Sequence, residues 1–420
     1  MVNIRFFYPL LFLLLIGLWD ALVYRFLPVI DSSLLLAGTT LLVGFVFIFL
    51  FLQSVAYGFV KGKRFGLPLF LLLSFVTSFL ACEVMYRINQ HYAFEVAGKS
   101  YTISNVWQID NTLGHSAVPN SKGAFKYTLL KNPLEGKIEV SIDDNGARST
   151  TCTGVDSNVV ALLGCSFTFG DFVHDTATYA SVLGKKSNFY PENWGGSGYG
   201  LAQMHMRFDA LKKRSDVHTI IVQYSPWLAK RSAKISRDAH FGSRSYPYYD
   251  DNLTLTSPIF RTSTQPFRDW RQSKKSWWNK HRFATEKGWT TNVSDRGRFT
   301  WASLKVALGL APKPIDDLHQ LEEHLYTYFA QAAREHDKDI VFVKIKYPAE
   351  LIPEWFSSFR QQHRVVDVDE VFRLYYGDDT DAPYRIYHEY DDGSRELINR
   401  HPSATSHLLI ADALLKELES

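Results

Sequence analysis

The segment Asn158-Val-Val-Ala-Leu-Leu-Gly-Cys-Ser-Phe-Thr-Phe-Gly170 is the clearest indication of fold class in this 420-residue chain. It joins a continuous apolar run of strand length to a serine that two small residues, Gly164 and Cys165, precede. Similar apolar runs occur at residues 219–224 and 339–345. Strands that are apolar on both faces are typical of a parallel sheet covered on both sides by helices. The sequence therefore predicts an α/β domain with a parallel sheet.

Helix-like segments accompany these strands. Residues 201–213 and 315–336 lie between successive apolar runs, and the apolar spacing of residues 406–418 predicts a last helix packed on the sheet. We assign residues 151–420 to this domain.

A β-rich lead-in segment, residues 87–150, precedes the domain in our interpretation. Polar and apolar residues alternate at 137–142, and Asp143-Asp-Asn-Gly146 supplies turn residues. Within the domain, residues 232–310 form an insertion rich in Arg, Lys, Ser, Trp and Tyr. This insertion is either a cover over the top of the sheet or a platform where aromatic rings stack on sugars and basic side chains meet anionic groups.

Charge and cysteine content exclude several classes of protein. The chain has 46 basic and 43 acidic residues, which does not suggest a nucleic-acid binder. Its three cysteines exclude a disulfide scaffold, and no CxxC pair indicates structural zinc. Cys152 and Cys165 either pair in an oxidising compartment or remain separate thiols. Cys82 is expected to be a packing residue.

Residues 1–86 differ in composition from the rest of the chain, with only eight charged side chains. Apolar runs at residues 6–24, 34–60 and 65–85 each have the roughly 20 residues that a helix needs to cross a bilayer. A signal peptide would explain only the first run, which lacks a basic cluster before it and a small-residue cleavage site after it. We predict a three-helix transmembrane anchor. Helical hairpins buried in a soluble protein are the alternative.

The orientation of this anchor follows from its loops. Lys61, Lys63 and Arg64 lie between the second and third spans, and positively charged loops stay in the cytoplasm. Everything after residue 86 is then outside the cytoplasmic membrane. We expect a multi-pass protein of the bacterial inner membrane whose large domain is periplasmic or extracytoplasmic.

Three segments carry the residue types of serine chemistry. Ser166 follows the first buried strand, at the edge where open α/β sheets bind ligands. A serine nucleophile needs a base and hydrogen-bond donors for the oxyanion. His401, just before the last helix, offers the base. The loop Asn193-Trp-Gly-Gly-Ser-Gly-Tyr-Gly200 offers donors, namely the Asn193 side chain and glycine amides.

In this combination and order, residues 105–418 resemble the SGNH (GDSL-like) hydrolase superfamily, including its membrane-anchored bacterial members that act on acyl groups of envelope glycans. The resemblance implies a flavodoxin-like fold with Ser166 as nucleophile and His401 as catalytic base. It also implies that the amides of Gly195 and Ser166 serve the oxyanion hole. The lead-in residues Asn145-Gly-Ala-Arg148 fit the same pattern.

The chain departs from the family pattern before the nucleophile and in the third block. Cys165 replaces the usual acidic residue, whose side chain is not itself catalytic in the family. The segment Gln223-Tyr-Ser-Pro-Trp-Leu228 lacks the Asn that normally completes the oxyanion hole. Either Asn193 or another donor substitutes for it, or the hole has one contact fewer.

A third departure concerns the acid that orients the histidine. It usually lies three residues before the histidine, where this chain has Ile398. An Asp-x-His arrangement would place Asn399 in that role, and a neutral Asn stabilises an imidazolium less than a carboxylate does. Asn399 is therefore the candidate orienting residue, and Asp391 and Asp392 are alternatives.

The resemblance predicts a membrane-anchored serine esterase or O-acyltransferase that acts on acetyl or other acyl esters of an envelope glycan through an acyl-serine intermediate. Its expected partners are an acylated glycan or lipid-linked sugar, the lipid bilayer and an MBOAT-type membrane acyltransferase; we expect no metal, cofactor or nucleic acid. The alternative is a catalytically degenerate SGNH scaffold that binds glycan or docks such an acyltransferase. A lipase or phospholipase is a third hypothesis, which no exposed apolar lid segment favours.

Overall fold

The computed structural model describes residues 101–104, 106–128, 135–153, 158–234, 236–237, 244–258, 305–306 and 308–420. The chain divides into two compact units. One of them, Lys99–Ile235 with Ser245–Asp269 and Pro314–Ser420, contains the sheet and the site described below. The three predicted membrane spans and most of the predicted insertion lie outside the described residues.

Within the described ranges, no helix combines the length and the apolar character that crossing a membrane would need.

The strands are β1 Tyr101–Ser104, β2 Trp107–Asp110, β3 Gly114–Ala117, β4 Lys122–Thr128, β5 Glu135–Ser141, β6 Val159–Leu163, β7 Tyr190–Asn193, β8 Val217–Tyr224, β9 Ser236–Arg237, β10 Arg244–Ser245, β11 Tyr248–Tyr249, β12 Leu255–Thr256, β13 Asp339–Lys344, β14 Val365–Asp367, β15 Ile386–Glu389 and β16 Arg395–Asn399. The α-helices are α1 Ser166–Phe169, α2 Tyr179–Lys186, α3 Leu201–Leu211, α4 Trp227–Ser232, α5 Leu318–Glu335, α6 Glu354–Gln362, α7 Val368–Tyr376 and α8 Ala404–Leu418.

Five parallel strands form the central sheet, in the order β14-β13-β8-β6-β7. β6 is buried along its whole length, and β8 and β13 are buried over most of theirs. Full burial of one aliphatic side chain contributes about 1.5–3 kcal/mol, so these continuous runs are a main source of stability. Helices α2 and α8 pack on each other, and α5 packs on α3 and α4. The predicted α/β architecture with a parallel sheet is confirmed.

The lead-in segment forms two small antiparallel sheets, β1-β4-β5 and β2-β3. Asp143 closes the turn after β5, because its Oδ1 accepts hydrogen bonds from the amides of Asn145 (3.0 Å) and Ala147 (2.8 Å). Gly146 has a φ of 89°, which favours glycine at this position. The turn that the sequence predicts at residues 143–146 is therefore present.

The lead-in segment packs directly on the loop that follows α1. Trp107 and Phe125 lie in one apolar cluster with Phe169 and Phe172, and Ile398 of β16 joins the same cluster. Residues 99–150 of the lead-in belong to the same compact unit as the central sheet. Their apolar side chains pack against Phe169 and Phe172, at the end of α1 and just after it.

Candidate active site

Ser166 is the first residue of α1 and lies just beyond the carboxyl end of β6. The turn is tight, because a Cβ on Gly164 would lie 2.0 Å from Thr168 Oγ1 and 2.4 Å from Gln223 Oε1. Gly170 ends the helix with a φ of 83° and donates its N–H to the carbonyl of Ser166. The two glycines thus permit a one-turn helix that presents Ser166 at the edge of the sheet.

Gln223, near the end of β8, supports this turn through hydrogen bonds of its side-chain amide. Its Oε1 accepts hydrogen bonds from the Cys165 amide (3.0 Å) and from Thr168 Oγ1 (2.8 Å). Its Nε2 donates to Ser225 Oγ (2.7 Å) and to Cys165 Sγ (3.2 Å). Gln223 is fully buried. One side chain therefore holds the backbone before Ser166 and the Thr168 side chain after it.

Arg148, from the lead-in segment, supports the turn from the other end. Its buried guanidinium donates to the carbonyl oxygens of Phe169 (2.6 Å), Gly170 (2.5 Å) and Val173 (2.6 Å). Its Nε donates to Asp175 Oδ1 at 2.9 Å. Burial lowers the pKa of Arg148, and Asp175 opposes that change. Arg148 thus supplies hydrogen bonds to the Phe169 and Gly170 carbonyls at the end of α1 and to the Val173 carbonyl just beyond it.

His401 contacts Ser166 across the site. His401 Nε2 lies 3.0 Å from Ser166 Oγ, and His401 Nδ1 lies 2.6 Å from Asn399 Oδ1. Because a carbonyl oxygen only accepts, the Asn399 contact assigns the imidazole proton to Nδ1. Nε2 is then free to accept the Ser166 proton, which is the tautomer that a general base needs. The structure brings the three predicted residues together.

The surroundings of His401 keep its imidazole neutral. The ring lies edge-on to Phe167, with centroids 5.3 Å apart, and is 6.1 Å from the Phe172 ring. Burial is the main cause that lowers the pKa of His401 to about 3, and the positive charge of Arg231 adds to it. A neutral imidazole at pH 7 has a lone pair on Nε2 that can accept a proton.

Asp171 is a residue of the site that the sequence reasoning did not single out. Its Oδ2 lies 3.9 Å from His401 Nε2, on the side of the ring that faces Ser166. Its Oδ1 accepts a hydrogen bond of 2.5 Å from Ser197 Oγ. Burial raises the pKa of Asp171 to about 7, against the opposing effects of the Ser197 hydrogen bond, Arg148 and Arg231. The sequence feature that could have indicated this role is the position of Asp171 directly after Gly170, at the end of the segment that carries Ser166.

The predicted oxyanion donors Asn193 and Gly195 lie against α1 but bond to other groups. Asn193 Nδ2 donates to the carbonyl of Thr168 (2.9 Å), and Asn193 Oδ1 accepts from the Gly195 amide (3.1 Å). A Cβ on Gly195 would lie 2.3 Å from the Phe169 nitrogen. Both donors are therefore committed to structural bonds here, because Asn193 fastens the glycine loop to the nucleophile helix.

The amide of Ser166 itself is placed differently. It is the first N–H of α1, and no hydrogen bond between described residues uses it. The first N–H groups of a helix lack partners within the helix and can bind an anion. The predicted oxyanion role of this amide stays a prediction, and its position agrees with it.

The alternative orienting residues Asp391 and Asp392 lie at the exposed tip of the β15–β16 hairpin. Asp392 Oδ1 accepts from the Ser394 amide at 2.8 Å. Asn399 lies at the opposite end of β16. Asn399 therefore holds the contact with His401 Nδ1 that the two aspartates would have needed to make.

Cys152 and Cys165 are free thiols, so the disulfide alternative is not realised. Cys165 is buried, and its sulfur accepts a hydrogen bond from Gln223, whereas the side chain that His401 contacts is the Ser166 hydroxyl.

Among the residues that the structure describes, no three His, Cys, Asp or Glu side chains are grouped as metal ligands.

No family model and no curated protein sequence matches this chain. Among solved structures, a G-D-S-L family lipolytic protein from Desulfitobacterium hafniense matches 62% of this chain and 99% of its own, with 13% identity and a TM-score of 0.31. An acetyl xylan esterase from the rumen bacterium Butyrivibrio proteoclasticus matches 76% of this chain and 89% of its own, with 11% identity and a TM-score of 0.28. Similarity at this level leaves the function to be argued from the geometry of Ser166, His401 and Asn399.

Proposed function

We propose that this chain is a serine esterase or O-acyltransferase of the SGNH type, and that its substrate is an acyl ester, with acetyl groups on an envelope glycan as the expected case. The observation that carries the proposal is the 3.0 Å contact between Ser166 Oγ and His401 Nε2. Asn399 holds the histidine in the tautomer that can accept the proton. A nucleophile, its base and an orienting group are the parts that acyl transfer through serine needs.

The first half-reaction forms an acyl-serine. Ser166 Oγ bonds to the ester carbonyl carbon while its proton moves to His401 Nε2. The carbonyl oxygen becomes an oxyanion, for which the Ser166 amide is the nearest available donor at the start of α1. When the tetrahedral intermediate collapses, His401 returns the proton to the departing alkoxide.

The second half-reaction repeats these steps with a different acceptor. Water releases the acyl group in an esterase, and a sugar hydroxyl takes it in a transferase. Both routes share the acyl-serine, so positioning of the acceptor and exclusion of water decide between them. We assign that role to the insertion at residues 232–310, whose composition suits contact with sugars and anionic groups.

Membrane tethering is part of the proposal, and the three apolar runs of residues 1–86 support it. A domain held at the outer face of a bacterial inner membrane would meet lipid-linked sugars or nascent glycans. It could also receive acyl groups from an MBOAT-type membrane acyltransferase. We keep the division into anchor, lead-in and α/β domain as the working domain organisation.

The test is covalent labelling of the detergent-solubilised full chain with a fluorophosphonate, read by intact mass. We expect one adduct on the wild type and on the exposed-serine control Ser357→Ala, and none on Ser166→Ala or His401→Ala. Labelling of a folded Ser166→Ala variant would assign the reactive serine elsewhere.

A second candidate function, a degenerate scaffold that binds glycan, is favoured by one observation. The Asn193 side chain and the Gly195 amide bond to other groups, so the described donors for an oxyanion are few. A folded wild-type protein that forms no adduct but retains acylated glycan in a binding assay would establish this function and exclude the esterase.

A further inference from the structure

The neutral residue Asn399 can perform only one of the two functions that an acid has in a catalytic triad. An acid beside a catalytic histidine fixes the tautomer and also stabilises the imidazolium that forms when the serine loses its proton. Asn399 Oδ1, 2.6 Å from His401 Nδ1, performs the first task. Because Asn399 carries no charge, it performs the second only weakly.

Asp171 supplies the missing charge from the opposite side of the ring. Its Oδ2 is 3.9 Å from His401 Nε2, the nitrogen that receives the Ser166 proton. Opposite charges at about 4 Å in a partly buried site attract each other more strongly than they do in water. An imidazolium at His401 would therefore form beside a carboxylate.

The position of Asp171 is built into the nucleophile turn. Its backbone N–H donates to the carbonyl of Ser166 at 2.9 Å, and Ser197 Oγ holds its carboxylate. Arg148 binds the carbonyls of Gly170 and Val173 on either side of it. Asp171 and Ser166 are thus carried by the same short, fastened segment.

We propose that the two tasks of a triad acid are divided in this protein: Asn399 orients His401, and Asp171 compensates the charge that His401 acquires during acyl transfer. Asp171 is a positioning residue in this scheme, since it acts through His401 and its carboxylate bonds to neither the substrate nor the Ser166 hydroxyl. The inference rests on the proposed serine chemistry.

The proton balance is simple. The Ser166 O–H bond breaks, the proton forms an N–H bond at His401 Nε2, and the oxygen forms a bond to the acyl carbon. The proton then passes from Nε2 to the leaving oxygen. Asp171 stays ionised throughout and exchanges no proton.

The state of Asp171 before the reaction makes the role sensitive to pH. The groups that face Asp171 and His401 from the packed elements are Ser197, Asn399, Arg148, Arg231 and His407. Burial raises the pKa of Asp171 to about 7. The carboxylate is the active form of Asp171, so the labelling rate of Ser166 should rise as the pH increases through about 7. The pKa of His401 is lowered to about 3, so protonation of His401 should affect the rate only at much lower pH.

The experiment measures the rate of fluorophosphonate labelling of Ser166 between pH 5 and 9 in the solubilised full chain. The variants are Asp171→Asn, Asn399→Asp, both together, and the exposed control Asp412→Asn. Asn at position 171 retains an oxygen for the Ser197 hydrogen bond. We expect Asp171→Asn to lower the rate at pH 8 by about 10-fold or more and to abolish the limb near pH 7.

The double variant separates charge compensation from a structural role. A carboxylate at position 399 restores charge beside Nδ1, so the double variant should regain most of the rate lost in Asp171→Asn, which repair of a packing defect would not do. Equal rates and equal pH profiles for wild type and Asp171→Asn, or no rescue, would overturn the inference and leave the proposed function standing. A wild type that never labels would overturn both.

Discussion

At the scale of single residues, Gln223 shows how one buried amide can fix a nucleophile that it does not touch. It bonds to the backbone amide before Ser166 and to the Thr168 side chain two residues after it. A buried polar group that loses its partner costs about 1–3 kcal/mol. Removing the Gln223 amide would leave the Cys165 amide without a partner and would cost the Thr168 and Ser225 hydroxyls one hydrogen bond each.

The variant Gln223→Leu keeps the approximate volume and removes every polar contact. We expect the free energy of unfolding to fall by about 2–4 kcal/mol, because several buried groups lose hydrogen bonds together. We also expect slower labelling of Ser166, since the turn is no longer held from below. Denaturant unfolding followed by tryptophan fluorescence and the labelling rate measure the two effects.

Gln331→Leu is the matched control, because Gln331 is exposed on α5 and bonds only to Glu335 among the contacts described. It should change neither measurement by much. A folded Gln223→Leu variant that labels at the wild-type rate would contradict the supporting role of this amide.

At the scale of elements, the sequence predicts the inner strands of the sheet better than its edges. β6, β8 and β13 are long apolar runs, and the structure has strands at all three. β7 and β14, with the sequences Tyr-Pro-Glu-Asn and Val-Val-Asp, are short, and neither is predicted from the sequence. Edge strands need less apolar surface than inner ones, so periodicity carries little signal for them.

The lead-in segment depends on Arg148 for its connection to the nucleophile helix. Arg148→Lys keeps the charge but replaces a planar fork of donors with a single ammonium, which cannot reach three carbonyls and Asp175 together. We expect the free energy of unfolding to fall by about 2–4 kcal/mol, because buried carbonyl groups lose hydrogen bonds that the guanidinium donates. Labelling of Ser166 should slow as well, because Arg148 holds residues 169–173.

Arg395→Lys is the control, since that side chain is 62% exposed and pairs with Glu389 on the surface. Exposed ion pairs contribute about 0–1 kcal/mol, so this change should be almost silent. If Arg148→Lys unfolded no more easily than Arg395→Lys, the hydrogen bonds of the Arg148 guanidinium would not be a source of stability.

At the scale of the whole molecule, the site is assembled from segments that are distant in sequence. Ser166 and His401 could be predicted because each occurs in a local pattern, a strand followed by a small-residue turn and a histidine before a helix. The roles of Asp171, Arg148 and Gln223 could not, because they depend on which groups the fold brings near one another. The same reason applies to Asn193, because its side-chain amide donates to the Thr168 carbonyl of α1, a contact that cannot be predicted from the sequence.

The arrangement of the whole chain in the membrane is a prediction of its charge pattern. Lys61, Lys63 and Arg64 should hold the loop between the second and third spans in the cytoplasm, since basic loops resist translocation. An odd number of spans then exports the domain that carries Ser166. Arg25, between the first two spans, opposes this orientation with one charge against three.

Alkaline phosphatase, which is active only after export, provides the measurement in a bacterial host. We expect a fusion after residue 64 to be inactive and a fusion after residue 100 to be active. Changing Lys61, Lys63 and Arg64 to Gln should reduce the activity of the fusion after residue 100, because the charge difference that sets the orientation is lost. Arg25→Gln, the matched control, should leave that activity unchanged or raise it. The opposite pattern of the two fusions would place Ser166 in the cytoplasm, where an envelope glycan is not accessible, and the proposed substrate would have to be replaced while the serine chemistry remained.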